Sequence, residues 1–159
     1  MEDKELGLYI HIPFCKSKCN YCDFNSYAGL EDLYALYVEA LCKEMGQYSV
    51  RWPKLRLRTI YIGGGTPTVL SLTLLSRLLE ACHGHFHVLS EAEITIEANS
   101  GTADGDRLAG LLDLGINRLS LGVQSFNDGE LRALGRIHSA EEARQAYEEA
   151  LGIYRKLAE

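Results

Sequence analysis

The chain alternates short apolar segments typical of strands with amphipathic segments typical of helices, and this alternation constrains the fold most strongly. Strand patterns cover residues 8–12, 59–62, 93–98 and 118–122. Helical patterns follow them at residues 32–47, after Ser71, at residues 104–113 and after Ser139. Both serines suit the N-cap position, and Gly115 suits the C-terminal cap of the third helix. Such an order indicates a parallel sheet with right-handed crossovers.

The length of the chain decides how far that sheet extends. A closed (β/α)₈ barrel needs about 250 residues, whereas this chain has 159. The predicted fold class is therefore α/β, an open, partial TIM-like barrel of about four βα units within one domain, residues 1–159.

Charge and hydropathy exclude several function classes. The formal net charge is −6, from 16 basic and 22 acidic residues, which argues against nucleic-acid partners and anionic membrane surfaces. No apolar run approaches the roughly 18 residues of a membrane span, so we expect no transmembrane segment. Residues 1–5 are acidic and lack the features of a signal peptide. These observations predict a cytoplasmic protein.

Three of the five cysteines lie close together directly after the first strand. Cys15, Cys19 and Cys22 have the spacing C-x₃-C-x₂-C, at the end of the strand where parallel sheets bind ligands. Three thiolates in one loop suit three corners of a [4Fe-4S] cluster and leave the fourth iron open. Lys16 and Lys18 add positive charge beside them.

The alternative for this loop is a Cys₃His zinc site, with His11 or a more distant histidine as the fourth ligand. Cys42 and Cys82 fall on or beside apolar helical stripes and are interpreted as free cysteines of the core. The histidine-rich residues 82–87 follow a predicted helix and are interpreted as an exposed polar turn rather than a metal site.

Polar or glycine-rich groups also follow the other three strands. The run Gly-Gly-Gly-Thr-Pro at residues 63–67 permits positive φ angles and close approach to the backbone. Glu97 ends the third strand and Gln124 follows the fourth. Because the carboxyl ends of parallel strands share one edge of a sheet, these groups are predicted to surround one bound small molecule.

Together these segments resemble the radical S-adenosylmethionine proteins, specifically the oxygen-independent coproporphyrinogen III oxidase group with its related heme chaperones. The resemblance covers about residues 6–150. It is carried by YIHIPFC at 9–15, the cysteine spacing, GGGTP at 63–67, ITIEAN at 94–99 and LGVQSF at 121–126. The family's chemistry is one-electron cleavage of S-adenosylmethionine to methionine and a 5′-deoxyadenosyl radical, which abstracts hydrogen from a substrate.

The resemblance implies a ligand set. Cys15, Cys19 and Cys22 would hold the [4Fe-4S] cluster. Contacts to S-adenosylmethionine would come from eight further residues: Tyr9, Tyr21, Gly64, Gly65, Thr66, Glu97, Gln124 and Arg136. A porphyrin or heme would be a further small-molecule ligand, and an electron donor or a heme acceptor protein would be the partner.

Two differences from the family narrow this expectation. Asp23-Phe24-Asn25 follows Cys22, where the decarboxylase of the family has an additional cysteine. The family also continues with further strands and a C-terminal domain, so residues 1–159 would correspond to a truncated N-terminal portion. We therefore expect a heme-chaperone type of protein in heme and porphyrin metabolism. The alternatives are a coproporphyrinogen III dehydrogenase or other radical enzyme, and a non-catalytic zinc module. Whether the chain catalyses a reaction stays open.

Overall fold

The computed structural model describes residues 5–53 and 55–154. The strands and helices follow one another as β1 (Glu5–Ile12), β2 (Phe14–Cys15), β3 (Tyr27–Ala28), α1 (Tyr34–Arg51), β4 (Arg56–Gly64), α2 (Leu72–His85), β5 (His87–Asn99), α3 (Gly105–Asp113), β6 (Arg118–Gly122), α4 (Asp128–Ala133) and α5 (Ala140–Tyr154). Short 3₁₀ turns cover Glu31–Leu33, Pro67–Val69 and Ser100–Thr102.

Four strands form one parallel sheet in the order β1-β4-β5-β6. Each new strand is added beside the preceding one, so right-handed crossovers place the intervening helices on the same face. Within the described residues the sheet does not close on itself. The prediction of an open, parallel α/β sheet is therefore confirmed.

The two faces of the sheet differ because alternate side chains of a strand point to opposite sides. The face toward the helices is apolar, and six isoleucines of β1, β4 and β5 are buried there: Ile10, Ile12, Ile60, Ile62, Ile94 and Ile96. Leucines of α2 and α3 pack against them, including Leu75 and Leu108. The opposite face carries Tyr9, Tyr61 and Glu97, which are exposed or half-buried. This polar face leads to the edge where the cysteine loop begins.

The helix ends agree with the predicted caps. Ser71 Oγ accepts a hydrogen bond from the Leu74 amide at 3.2 Å. Ser139 and Glu142 form a capping box, with each side chain bonded to the other's backbone amide. Gly115 has a φ of +87° beyond α3, as a glycine C-terminal cap requires. None of the helices in the described parts of the chain combines the length and the hydropathy that crossing a bilayer would need.

The structure corrects some predicted boundaries. Helix α2 continues to His85, so His83 and His85 are exposed helical residues and not part of a turn. Strand β5 begins at His87, six residues before the apolar pattern starts, because its first residues pair with the start of β4. Helix α4 was not predicted, since six residues are too few for a clear apolar stripe.

Candidate functional site

One cavity of about 280 Å³ lies at the carboxyl edge of the sheet. The ends of β4, β5 and β6 border it, together with the cysteine loop that follows β1. The lining includes all three clustered cysteines and seven of the eight predicted cofactor contacts: Tyr21, Gly64, Gly65, Thr66, Glu97, Gln124 and Arg136. The structure thus brings the strand ends together around a single space.

The cysteine loop is held in place by its two ends and by a distant segment. At its base β2 pairs in parallel with β3, so that Cys15 lies opposite Ala28. Lys18 Nζ donates to the carbonyls of Phe24 and Ser26, each at 3.2 Å, and so closes the loop on itself. Lys18, which the sequence analysis considered only as a positive charge beside the cysteines, therefore also holds the loop together.

Asn20 joins this loop to the C-terminal end of α4. Its backbone amide donates to the Leu134 carbonyl and its side-chain amide donates to the Ala133 carbonyl, both at 3.1 Å. Gly135 has a φ of +71°, and a Cβ there would lie 2.9 Å from the side chain of Asn20. This close approach explains the glycine that precedes Arg136.

The glycine turn after β4 packs directly against the start of the cysteine loop. The Gly65 amide donates to the Ile12 carbonyl at 2.8 Å, and the Thr66 amide donates to the Phe14 carbonyl at 2.7 Å. A Cβ on Gly65 would lie 2.5 Å from the Phe14 oxygen and 2.9 Å from Cys15 Sγ. Gly64 adopts a φ of +118°, which disfavours a side chain. These glycines allow two backbone segments to pack closely, and they also line the cavity.

Glu97 is positioned by two hydrogen bonds before any ligand arrives. Tyr61 Oη donates to one carboxylate oxygen at 2.7 Å, and the Gly64 amide donates to the other at 2.9 Å. The bond to Glu97, followed by burial, raises the pKa of Tyr61 above its ordinary value. Tyr61 therefore stays a donor at neutral pH and holds the carboxylate at the cavity edge.

Arg136 reaches the cavity from the loop after α4 and contacts two of its walls. One terminal nitrogen donates to the Gly122 carbonyl at 2.7 Å, and the other donates to Cys19 Sγ at 3.3 Å. Its Nε is buried without a hydrogen-bond partner. A buried N–H without an acceptor is costly, so an acceptor supplied by a ligand would stabilise this arrangement.

The remaining predicted contacts differ in their placement. Gln124 has a φ of +67°, the one positive φ among the described non-glycine residues. Tyr21 is exposed at the cavity mouth. Tyr9 does not line the cavity: its ring stacks on that of Tyr61, with centroids 6.1 Å apart, and its hydroxyl bonds His11 Nδ1 at 2.9 Å.

His138 does not line the cavity but contacts Asn99, which does, and the sequence reasoning missed it. It is buried, with one ring nitrogen 3.0 Å from Asn99 Oδ1 and the other 3.1 Å from the Val123 carbonyl. Burial is the main cause that lowers its pKa below 6.5, and the nearby Arg136 adds to that effect. His138 thus links the ends of β5 and β6. The sequence feature that could have indicated His138 is its position two residues after Arg136.

The zinc alternative would need a histidine, such as His11, beside the three cysteines. Both ring nitrogens of His11 are engaged, one by Tyr9 and the other 2.9 Å from the Asn25 carbonyl oxygen. Across residues 5–53 and 55–154, no three side chains of histidine, cysteine, aspartate or glutamate are grouped closely enough to bind a single metal ion. A four-iron cluster places its thiolates on separate irons and so spreads them more widely.

Comparisons with known proteins identify the family. The model of the radical SAM superfamily matches residues 9–156. The chain belongs to this superfamily. It is 42% identical over 149 residues to the heme chaperone HemW of Escherichia coli (strain K12), which covers 93% of this chain and 39% of that protein. It is 38% identical over 155 residues to a mitochondrial radical S-adenosyl methionine domain-containing protein 1 of Bos taurus, covering 93% of this chain and 34% of that protein.

A solved structure agrees with these relatives. The coproporphyrinogen III oxidase (HemN) of Escherichia coli, described as a radical SAM enzyme, superposes with a TM-score of 0.84 at 32% identity. The match covers 95% of this chain and 34% of that one. The chain therefore spans well under half the length of these relatives.

Proposed function

We propose that this chain binds a [4Fe-4S] cluster through Cys15, Cys19 and Cys22 and binds S-adenosylmethionine at the open iron, as part of a protein of the heme-chaperone type. The observation that carries the proposal is the 280 Å³ cavity, which the three thiols share with the glycine turn, Glu97 and Arg136. A thiol loop that bound zinc for structure alone would not need those additional groups.

The groups that line the cavity fit both ligands. Three thiols from one loop match three irons, and none of them is in a disulfide. The unpartnered Nε of Arg136 supports a carboxylate contact, because a guanidinium binds carboxylates strongly. The fixed carboxylate of Glu97 accepts hydrogen bonds from hydroxyl or amino groups. When bound, the cluster supplies the electron for S-adenosylmethionine chemistry.

Each remaining residue has a defined task in this proposal. Gly64, Gly65 and Thr66 present backbone along one wall of the cavity, where they would contact the methionyl part of the cofactor. Tyr21 would cover the adenine at the mouth, and Gln124 would contact the cofactor from the end of β6. Tyr9 would act at a distance, through its stacking on Tyr61.

The choice of heme chaperone over decarboxylase rests on the relatives and on one position. Two of the relatives described above are a heme chaperone at 42% identity and a coproporphyrinogen III oxidase at 32% identity. Asp23 follows Cys22 directly, without the further cysteine that the decarboxylase has. A heme or porphyrin is then the second small molecule, and an electron donor or a heme acceptor is the protein partner.

Anaerobic reconstitution with iron and sulfide tests the proposal. We expect iron and sulfide in the ratio of a [4Fe-4S] cluster and a reduced EPR spectrum that changes when S-adenosylmethionine is added. Cys19→Ser should lose bound iron, whereas Cys42→Ser, which changes a half-buried thiol between α1 and α2, should retain it. A colourless protein that binds zinc in stoichiometric amount would refute the proposal.

Two further measurements separate the chaperone from the enzyme. Heme binding, followed by its absorption spectrum, without formation of 5′-deoxyadenosine supports the chaperone type. Production of 5′-deoxyadenosine with coproporphyrinogen III, together with loss of its carboxyl groups, would instead support the decarboxylase.

A further inference from the structure

Each of the three clustered cysteine sulfurs lies beside a polar side chain, and two of these side chains come from distant parts of the chain. Thr66 Oγ1 donates to Cys15 Sγ at 3.7 Å. Arg136 Nη1 donates to Cys19 Sγ at 3.3 Å. Ser26 Oγ lies 3.7 Å from Cys22 Sγ. Thr66 follows β4 and Arg136 follows α4, whereas Ser26 belongs to the cysteine loop itself, directly before β3.

The direction of these hydrogen bonds is set once the cysteines bind iron. A metal-bound thiolate has no proton, so it can only accept. Thr66 and Arg136 already donate. Ser26 Oγ also has the Phe24 carbonyl at 3.4 Å, a longer contact for a hydroxyl donor, and its proton can turn to Cys22 Sγ instead. Ser26 and Thr66 are buried, with exposed fractions of 2% and 9%, so water competes little for them.

We propose that Ser26, Thr66 and Arg136 form a donor layer around the [4Fe-4S] cluster that raises its reduction potential, with Arg136 having the largest effect. The inference rests on the cluster of the proposed function. Reduction adds one electron to the cluster, and its negative charge is shared with the sulfur ligands. Hydrogen bonds to these sulfurs stabilise the reduced form more than the oxidised form. Arg136 acts most strongly because its donor is charged.

This role is compatible with a cofactor contact by the same arginine. A guanidinium has five N–H donors, and the contacts with Cys19 and the Gly122 carbonyl occupy two of them. The Nε of Arg136 has no partner in this arrangement. Arg136 can therefore hold the sulfur of Cys19 while another of its donors meets a carboxylate.

An EPR-monitored redox titration of the reconstituted chain, without S-adenosylmethionine, tests the proposal. Arg136→Gln removes the charge, and Thr66→Val removes one hydroxyl at nearly constant volume. We expect the midpoint potential to become more negative in both variants, with the larger shift in Arg136→Gln. Arg77→Gln is the matched control. Arg77 lies on α2 and pairs with Glu39, so this substitution removes the same charge at a place away from the cysteine loop.

The outcomes distinguish this inference from the proposed function. If the unchanged chain assembles a cluster that responds to S-adenosylmethionine, but Arg136→Gln and Thr66→Val keep its potential, only the donor layer is refuted. If Arg136→Gln assembles no cluster, the shift in Thr66→Val decides the question. If the unchanged chain assembles no cluster at all, both proposals fail.

Discussion

Gly65→Ala offers a sharp test of how the glycine turn supports the cysteine loop. Gly65 does not have a positive φ, so alanine adds no backbone strain and the substitution probes the contact alone. The new methyl group would lie 2.5 Å from the Phe14 oxygen and 2.9 Å from Cys15 Sγ. Both neighbours belong to β2 and are buried, so neither can turn away without moving the loop.

The size of the effect follows from these distances. Forcing a methyl group into a packed site costs about 1–3 kcal/mol. Replacing glycine also restricts the unfolded chain, which offsets about 0.4–1 kcal/mol of that cost. The net loss in the free energy of unfolding is then between about 0 and 2.6 kcal/mol, and its midpoint of about 1.3 kcal/mol is roughly a tenfold change in the folded-to-unfolded ratio. Because the overlap involves Cys15 itself, iron binding should fall as well.

Urea denaturation followed by far-UV circular dichroism measures the first effect, and iron content after anaerobic reconstitution measures the second. The matched control is Gly84→Ala in α2, where nothing lies within 4 Å of the added Cβ. Alanine favours a helix over glycine by up to about 1 kcal/mol, so this variant should be at least as stable as the original. A Gly65→Ala protein with unchanged stability and unchanged iron content would refute the packing argument.

Three further predictions concern the core and the strand ends. Burial lowers the pKa of His138 below 6.5. The stabilising contribution of His138 is therefore present above about pH 6.5 and is lost as the pH falls through the folded-state pKa. Urea denaturation at several pH values measures the free energy of unfolding that shows this loss. Asn117→Ala removes side-chain bonds to the Ile94 amide and the Ala92 carbonyl, and should lower the free energy of unfolding by about 1–2 kcal/mol in the same assay. Burial raises the pKa of Cys82 to about 12, so mass spectrometry after iodoacetamide treatment of the native, metal-free chain should find it unmodified.

Each of these predictions has a clear contrary result. An acid-side stability curve that is the same in His138→Gln would remove His138 from the pH dependence. An Asn117→Ala variant as stable as the original would show that the middle of β5 needs no side-chain anchor. Native Cys82 that is alkylated as fast as the half-buried Cys19 would contradict its burial.

The local features of the fold followed from sequence patterns because their causes lie within a few residues. Alternation of apolar residues predicted the four main strands, and helix caps such as Ser71 and Ser139 depend on side chains that bond amides three residues away. The short α4 was missed, since its one clear signal is the Asn127 cap, which bonds two amides at its start. Boundaries such as the early start of β5 depend on pairing with β4, which a local pattern does not contain.

The sequence by itself determined the strand-and-helix order, the cysteine spacing and the superfamily, because these are written in neighbouring residues. The tertiary structure decided which distant groups meet. Arg136 and Cys19 are 117 positions apart yet lie in hydrogen-bond contact, and Asn20 bonds the last residue of α4 across 113 positions. The tertiary structure also explains Gly65, because two backbone segments approach each other there too closely for a side chain. Such contacts depend on how the sheet and helices pack, and packing is a property of the whole chain.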